Sequence, residues 1–364
     1  MKTKTSSKKP SQNQRANQTP ERTVGIDLGD VKHAVCVIDR DGDIIDQRTI
    51  TNHRESLRRL SKKHLGARVV MEVGSHSPWV SRFMKALGHE VLVANARKMR
   101  AIYTNERKSD ELDAMMLARI GRMDPKLLHP IEHGSEQAQR DLLQIKLRDN
   151  LVRQRVDIIS SVRFTLKSLG VALPSPNTAC FAKRARTLLG GGDESLLAMI
   201  EPSLQIIDLL TQKIREIERN IEKLGVERYP VTQRLQQITG VGSITSLAFV
   251  LTVGDPQRFG RRRDVGAYLG LVPKRDQSGG VDKQLRISKA GDAYLRRLLV
   301  SAAQYILGPF GPDSDLKRHG LQLAERGGRA AKKKAVVAIA RKLAVLMLAL
   351  WSGTADYQPA RNAA

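Results

Sequence analysis

The first ordered pattern along the chain is a run of short apolar segments separated by turn residues. Thr23–Gly29 (TVGIDLG) reads as a strand running into a turn, and His33–Asp39 (HAVCVID) as a second strand. The Asp41-Gly42 pair signals a hairpin into a third strand, Ile44–Ile50. Leu57, Leu60 and Leu65 give helical spacing over Arg54–Leu65. Ala67–Val73 (ARVVMEV) is apolar on both faces, the pattern of a central strand. A helix over Ser77–Leu87, a strand over His89–Ala94 and a short helix over Arg97–Tyr103 follow. A further helix carries Leu112, Met115, Met116, Leu117 and Ile120. From about Ser135 the period lengthens. Leu147, Leu151, Ile158, Val162 and Leu169 fall on a 3–4 spacing, with Gln154 and Thr165 filling two seam positions. Ile207, Leu210, Ile214, Ile217, Ile221 and Leu224 keep that rhythm without a miss. The breakers Pro174-Ser175-Pro176 and Gly190-Gly191-Gly192 lie between these two runs, which predicts a coiled-coil arm paired within the chain or with another copy.

Three strands joined by hairpins, then two reached by helical crossovers, is the order of a ribonuclease H-like α/β sheet, antiparallel first and parallel later. In such a sheet the C-terminal ends of the first and fourth strands are neighbours. Asp27 closes the first and Glu72 the fourth. Asp110 and Asp113, three residues apart on a helix, share a face. The expectation is that these four carboxylates converge and hold a hard divalent cation, Mg²⁺, which requires several oxygens aimed at one point. Taken singly, each acid has a plainer role: Asp27 as a strand-end turn residue, Asp110 and Asp113 as helix-start acids that complement the dipole. Glu72, following Val69-Val70-Met71, is costly to bury unless paired or metal-bound. His76 could face the carboxylates but is expected to face solvent, and His129, Glu132 and His133 are expected to lie in a loop.

Composition changes the picture of what the chain meets. Against 37 Asp and Glu stand 62 Lys and Arg, a net charge of +25, which points to a polyanionic partner, nucleic acid. Aromatics make up 4% of residues, which disfavours a single-strand binder built on stacking platforms. Cys36 and Cys180 form neither a metal motif nor a disulfide framework, so a reducing compartment, the cytoplasm with the nucleoid, is expected. No stretch is expected to span a membrane, and no membrane partner is expected. Residues 1–22 carry six Lys and Arg against Glu21 alone and read as a disordered basic tail.

The C-terminal third is the most basic part. Arg258–Ala364 holds 21 Lys and Arg against 8 Asp and Glu, a net of +13. Ile238-Thr239-Gly240-Val241-Gly242 resembles the turn of a helix-hairpin-helix, where glycine lets backbone amides approach a phosphate. Arg261, Arg262 and Arg263 form a basic loop, and Lys274–Gly280 a second, Gly-flanked loop with one hydroxyl, Ser278, at its tip. Lys274, Arg275, Arg286, Lys289, Arg296 and Arg297 are expected to meet phosphates. A helix is expected to start near Arg286–Asp292, with Ser288 as its cap, and a last helix spans about Ala330–Trp351.

Seven motifs in order carry a resemblance. They are Gly25-Ile26-Asp27, Met71-Glu72-Val73-Gly74, Val93-Ala94-Asn95, the Lys-x-Asp-x-x-Asp-Ala pattern at Lys108–Ala114, Ile238–Gly242, Tyr268–Pro273 and Gln277-Ser278-Gly279. Together they resemble the DEDD-type transposases of insertion sequences that move with a structured guide RNA, over roughly Thr23–Leu350. The resemblance implies a RuvC-like domain at 23–134, a coiled-coil arm at 135–228, and a mainly α C-terminal domain at 229–364 carrying the helix-hairpin-helix and a nucleophilic serine. It implies that Asp27, Glu72, Asp110 and Asp113 are the metal ligands and Ser278 the nucleophile. Double-stranded donor and target DNA, a guide RNA and further copies of the chain, as a dimer or tetramer, would be its partners. The competing readings are a Holliday-junction-resolvase-like nuclease with no covalent intermediate, an actin-like ATPase suggested by Gly25–Gly29, and a non-catalytic scaffold. The ATPase lacks its second Asp-x-Gly-x-Gly loop, and the scaffold leaves four acids unexplained on a basic protein.

Overall fold

The computed structural model describes residues 20–99, 109–173, 178–328 and 330–360. The expected basic tail up to residue 19, Lys108 and the Pro174–Pro176 breaker lie outside them, as does all but the start of the helix expected over Arg97–Tyr103. That start is a 3₁₀ turn at Ala96–Lys98. The chain divides into two units, Met1–Gly134 and Ser135–Ala364.

The N-terminal unit is a five-stranded mixed sheet, ordered β3-β2-β1-β4-β5. Its strands are β1 (Thr23–Leu28), β2 (Lys32–Ile38), β3 (Ile44–Thr51), β4 (Arg68–Glu72) and β5 (Glu90–Ala94). The first three pair antiparallel, and β1–β4 and β4–β5 pair parallel, as the hairpin and crossover spacings predict. Strand alternation sorts the two faces. Val24, Ile26, Val35, Val37, Val69 and Met71 pack with Leu57 and Leu60 of α1 (Arg54–Lys63) and with Val80 and Met84 of α2 (Ser77–Ala86). The opposite face meets α3 (Asp110–Met123), which Ser109 caps by accepting a hydrogen bond from the Leu112 amide at 3.2 Å.

Small residues bring α3 unusually near the sheet. Ala34, Cys36 and Ile38 pack on Ala114 and Ala118. A Cβ at Gly25 would lie 1.9 Å from the Ala114 carbonyl oxygen, and one at Gly121 would lie 2.4 Å from Cγ2 of Val70. Neither glycine has a positive φ. What these positions require is the absence of a side chain, because backbone meets backbone at Gly25.

The C-terminal unit is mainly helical. Helices α4 (Glu136–Ser168) and α6 (Glu194–Arg228) run antiparallel, and α5 (Phe181–Leu189) packs between them near the distal end. The α6 seam is the predicted one, with Ile207, Ile214 and Ile221 buried. The α4 seam is not. Leu147 and Leu169 are exposed, and the buried positions are Asp141, Ile145, Arg155, Ile159, Val162 and Leu166. The phase is lost to sequence reading because charged residues occupy the true seam. Arg148 Nε bonds Glu218 at 2.9 Å, and Arg155 donates to Thr211 Oγ1 at 3.1 Å and to Thr178 Oγ1 at 3.0 Å. Burial holds the Arg155 guanidinium below its ordinary pKa.

Beyond the arm, α7 (Val231–Leu235) and α8 (Ser243–Val253) are joined through Gly240-Val241-Gly242, where Gly240 has φ +87° and sits against the Ala302 carbonyl. The core below them is built from α8, α10 (Ala293–Leu307) and α12 (Ala331–Ser352), with the short α9 (Asp264–Tyr268) and α11 (Asp315–Glu325) against α12. Contrary to the sequence expectation, one helix among the described residues, α12, is long and apolar enough to cross a membrane by length and composition. Ala335, Ile339, Ala340, Leu343, Ala344, Met347 and Leu348 of this helix are buried in the unit's core, which accounts for much of that apolarity.

Two stability outcomes follow from these contacts. Gly25→Ala should cost about 3 kcal/mol or more in urea unfolding, since the clash is with backbone that cannot rotate away; a loss under about 1 kcal/mol would mean that α3 is not clamped there. Arg155→Leu should leave stability unchanged or raise it by about 1–3 kcal/mol, because the buried cation has hydroxyl rather than carboxylate partners; a large loss would show that the two threonine contacts outweigh desolvation.

Candidate active site

The parallel register pairs Ile26 of β1 with Met71 of β4, so the next residues, Asp27 and Glu72, end neighbouring strands. By alternation, Asp27 shares the face of Gly25, and Glu72 that of Val70. Those two residues touch α3, so both acids lie on the α3 side. The direction of α3 follows from its contacts. Ala114 lies over Gly25, while farther along, Gly121 meets Val70 and its carbonyl accepts from Arg68 at 2.9 Å. Arg68 starts β4, so α3 runs antiparallel to β1 and β4, and its first turn, with Asp110, Glu111 and Asp113, lies toward the strand ends that carry Asp27 and Glu72.

Asp27, Glu72 and Asp113 are half-buried and Asp110 is exposed. Glu72 therefore does not pay the full burial penalty that its sequence context implies. Hard carboxylate oxygens on one face are the donor set of a Mg²⁺-type cation. The spacing is open, however: among the described residues no group of three or more His, Cys, Asp or Glu is close enough to hold an ion. An octahedral cation held by one or two carboxylates, with waters and a substrate phosphate completing its shell, needs no such closed cage.

A histidine group that sequence reasoning did not assemble sits at the same end of the sheet. His33, fully buried at the start of β2, lies 6.5 Å ring to ring from His76. His76 is half-buried rather than solvent-facing. It bonds Asp30 at 2.9 Å and accepts from Trp79 Nε1 at 3.2 Å. His133 Nε2 bonds Ser77 Oγ at 2.9 Å, which ties the segment after α3 to the start of α2. Burial pushes His33 and His133 below the ordinary histidine pKa, His76 adding to the effect at His33 and Arg82 and Lys85 at His133.

Ser278 lies in a hairpin rather than a loop. Strands β6 (Pro273–Ser278) and β7 (Val281–Ile287) pair antiparallel, and Ser278 faces Val281 across a two-residue Gly279-Gly280 turn. Gly279 has φ +56°, the left-handed backbone that such turns demand. Every residue of β6 is exposed, Ser278 included. Lys274 and Arg275 lie on β6 and Arg286 on β7. Arg275 Nε is tied across the hairpin to Asp282 at 2.7 Å. Arg261, Arg262 and Arg263 are exposed on the turn before α9, and Lys289 is exposed with φ 53° just after β7. Arg296 donates to the carbonyls of Leu269 (3.0 Å) and Ala290 (2.6 Å), a bracing role inside the fold. Arg297 bonds Asp149 at 2.7 Å and lies over the Tyr294 ring. The helix after β7 starts at Ala293 and is capped by Asp292; Ser288 is not its cap.

Because His33 and His133 take up protons less readily folded than unfolded, the unfolded state gains protons first as pH falls through 6.5. Stability should therefore be present above pH 6.5 and decline below it. The urea midpoint should fall between pH 7.5 and 5.5, with a smaller fall in His33→Gln; a midpoint unchanged or rising toward acid would contradict this.

Comparison with known proteins converges on one group. The profile of the DEDD-type transposases of IS110 elements matches residues 24–170, and that described as "Transposase IS116/IS110/IS902 family" matches residues 232–316. A transposase for insertion sequence element IS1111A from Coxiella burnetii is 27% identical over 93% of this chain and 91% of its own length. A probable family 20 transposase from Pseudomonas aeruginosa is 27% identical over 92% of this chain and 98% of its own. A pilin gene-inverting protein of Moraxella lacunata is 29% identical over 32% of this chain and 35% of its own. With a mixed α/β N-terminal unit bearing the acids and a mainly helical C-terminal unit, the chain belongs to the IS110/IS116 family of insertion-sequence transposases.

Proposed function

We propose that the chain cuts and rejoins DNA through a ribonuclease H-like, RuvC-like carboxylate centre in its N-terminal domain and the hydroxyl of Ser278. The observation that supports this reading is that Asp27 and Glu72, at adjacent strand ends, lie on the same face and end of the sheet as the first turn of α3, which bears Asp110 and Asp113. A divalent cation bound there, Mg²⁺ as the physiological choice, would supply charge neutralisation at a scissile phosphate and lower the pKa of the attacking oxygen. Asp27 and Glu72 anchor that charge from the rigid sheet, and Asp110 and Asp113 approach it from the helix.

Ser278 supplies the nucleophile. Its Oγ attacks phosphorus, a phosphoserine bond forms, and the cleaved strand leaves as a free hydroxyl end. The bond energy is kept for rejoining to a second strand. A serine hydroxyl is a weak nucleophile at neutral pH and needs an activator. The hairpin around Ser278 carries no histidine, so the carboxylate centre fills that role. The arm of α4 and α6 separates the two in sequence. This favours a shared site in which the serine of one copy meets the acids of another within a dimer or tetramer. Two double-stranded DNAs are the substrates. A structured guide RNA supplies sequence recognition by base pairing, while the exposed cations Arg261, Arg262, Arg263, Lys274, Arg286 and Lys289 hold phosphates.

Digestion of a denatured reaction with protease should leave DNA attached to a peptide containing Ser278. Ser278→Ala and Asp110→Asn should each lose activity by about 10³-fold or more, and mixing the two should restore part of it. Full activity of Ser278→Ala would leave the nuclease without a covalent intermediate as the reading. Absence of rescue would count against a shared site.

A further inference from the structure

One face of the C-terminal unit is not accounted for by the chemistry above. Helix α12 buries one side in the core, but Val337, Ala338, Val345 and Leu346 form a second apolar stripe that the chain leaves half-exposed. This stripe, with Leu271 and Tyr357, floors a cleft of about 1460 Å³ between α12, the base of the β6–β7 hairpin and the C-terminal segment. Lys333, Lys334, Arg341 and Lys342 of α12 line it, faced by Arg263, Arg286 and Lys289, and Asp315 is the acid in its wall. The wall itself is braced: the Asp315 amide donates to the Pro359 carbonyl at 2.8 Å, and Arg234 donates to the carbonyls of Gly353 (2.6 Å) and Ala355 (2.8 Å).

Charge and shape narrow the occupant. The cleft exceeds the roughly 300–1,000 Å³ of a small-molecule site. Seven cations around an apolar floor call for an anion that also has an apolar face. A second copy of this chain, at net +25, is a poor match. A DNA duplex offers phosphates but keeps its base faces stacked inside, so the floor would go unused. An unpaired strand offers both at once, phosphates to the cations and a base face to the floor. The cleft also lies at the right end of the hairpin. Pro273 and Arg286 are lining residues, Pro273 pairs with Ile287 at the hairpin base, and Ser278 is at its tip, about 17 Å away along the strand.

We propose that this cleft holds an unpaired segment of the DNA strand near the cut, with phosphates on the α12 cations and a base on the apolar floor. The inference rests on the reading of the chain as a DNA strand-exchange enzyme, since only strand exchange requires a strand to leave its duplex before it is rejoined. In that role the cleft keeps the leaving strand from re-annealing while the partner strand arrives.

The test uses the full chain in a metal chelator, so that binding is read without cleavage and a failure of the serine or carboxylate chemistry leaves the readout intact. Anisotropy of a labelled single-stranded DNA 20-mer, its duplex and an RNA of the same sequence is followed across a salt series. A second oligonucleotide carries 2-aminopurine to report transfer of a base to an apolar site. The double variant Lys334→Ala, Lys342→Ala should weaken single-strand binding about tenfold and lower the salt slope by about 1.4, the value for two single-strand phosphate contacts. Val337→Thr, which keeps shape but adds a hydroxyl, should weaken single-strand binding about fourfold with the slope unchanged. It should also leave duplex affinity intact and reduce the 2-aminopurine signal. Circular dichroism and melting confirm that each variant is folded, and Ala338→Ser repeats the floor test should Val337→Thr unfold. The proposal is overturned if the floor variants leave single-strand affinity unchanged or if duplex and single strand weaken equally. It is also overturned if RNA binds about tenfold tighter than DNA.

Discussion

Backbone packed on backbone governs the N-terminal unit. At Gly25 the sheet has no side chain, and the Ala114 carbonyl of α3 occupies the place a methyl group would take. Ala34, Ala114, Ala118 and Gly121 extend that close contact along the helix. A helix held this near a strand has little freedom to slide or tilt, because cores resist displacement at the scale of one methyl group. Its first turn is thus fixed relative to the ends of β1 and β4, and with it the acids that the proposed chemistry uses. The flanking apolar positions, Val70 against Leu117 and Ile120, supply burial energy, while the small residues supply position.

A different solution governs the arm. Long helices paired through apolar positions alone would leave their register free to slip by a heptad. Here polar anchors cross the seam. Asp141, nearly inaccessible, accepts from Arg228 at 2.9 and 3.0 Å, from Tyr229 at 2.7 Å and from Gln137 at 2.9 Å. Burial works to raise its pKa, and these donors outweigh it, holding the carboxyl below its ordinary range. Burial and Asp141 together push the Tyr229 hydroxyl up to about 12. Such buried polar pairs add little net stability, but a shifted register would leave them unpaired, at several kcal/mol each (about 3–5). The arm's alignment is set by these pairs, and its apolar residues supply the bulk.

Much of the N-terminal fold was legible in the chain, because strand alternation, the Asp41-Gly42 turn and the crossover lengths all report local geometry. The five strands fall within two residues of where the pattern puts them. The positions of Asp27 and Glu72 at strand ends and of Asp110 and Asp113 in a first helical turn were legible as well, since strand ends and helix starts are marked by composition. What was not legible has a common cause in polar residues doing apolar work. Arg155 and Asp141 hid the phase of α4. His76, expected to face solvent, is held by Asp30 and Trp79, partners 46 and three residues away. The Ser278 hairpin is harder to read because β6 is polar and exposed throughout, and only β7 carries alternating apolar residues, Val281, Leu285 and Ile287, around Lys283. The half-exposed apolar stripe of α12 is not separable in sequence from its buried side, since periodicity counts apolar residues without saying what covers them.

In the proposed mechanism, the ends of β1 and β4 and the first turn of α3 form one carboxylate centre for a divalent cation. Anomalous diffraction from crystals of the full chain grown with Mn²⁺ and a DNA substrate tests it directly. A peak is expected at that edge of the sheet, with oxygens of at least two of Asp27, Glu72, Asp110 and Asp113 about 2.0–2.3 Å from the ion and a phosphate oxygen completing the shell. A well-occupied ion bound elsewhere, with none of these four acids in its coordination sphere, would contradict it.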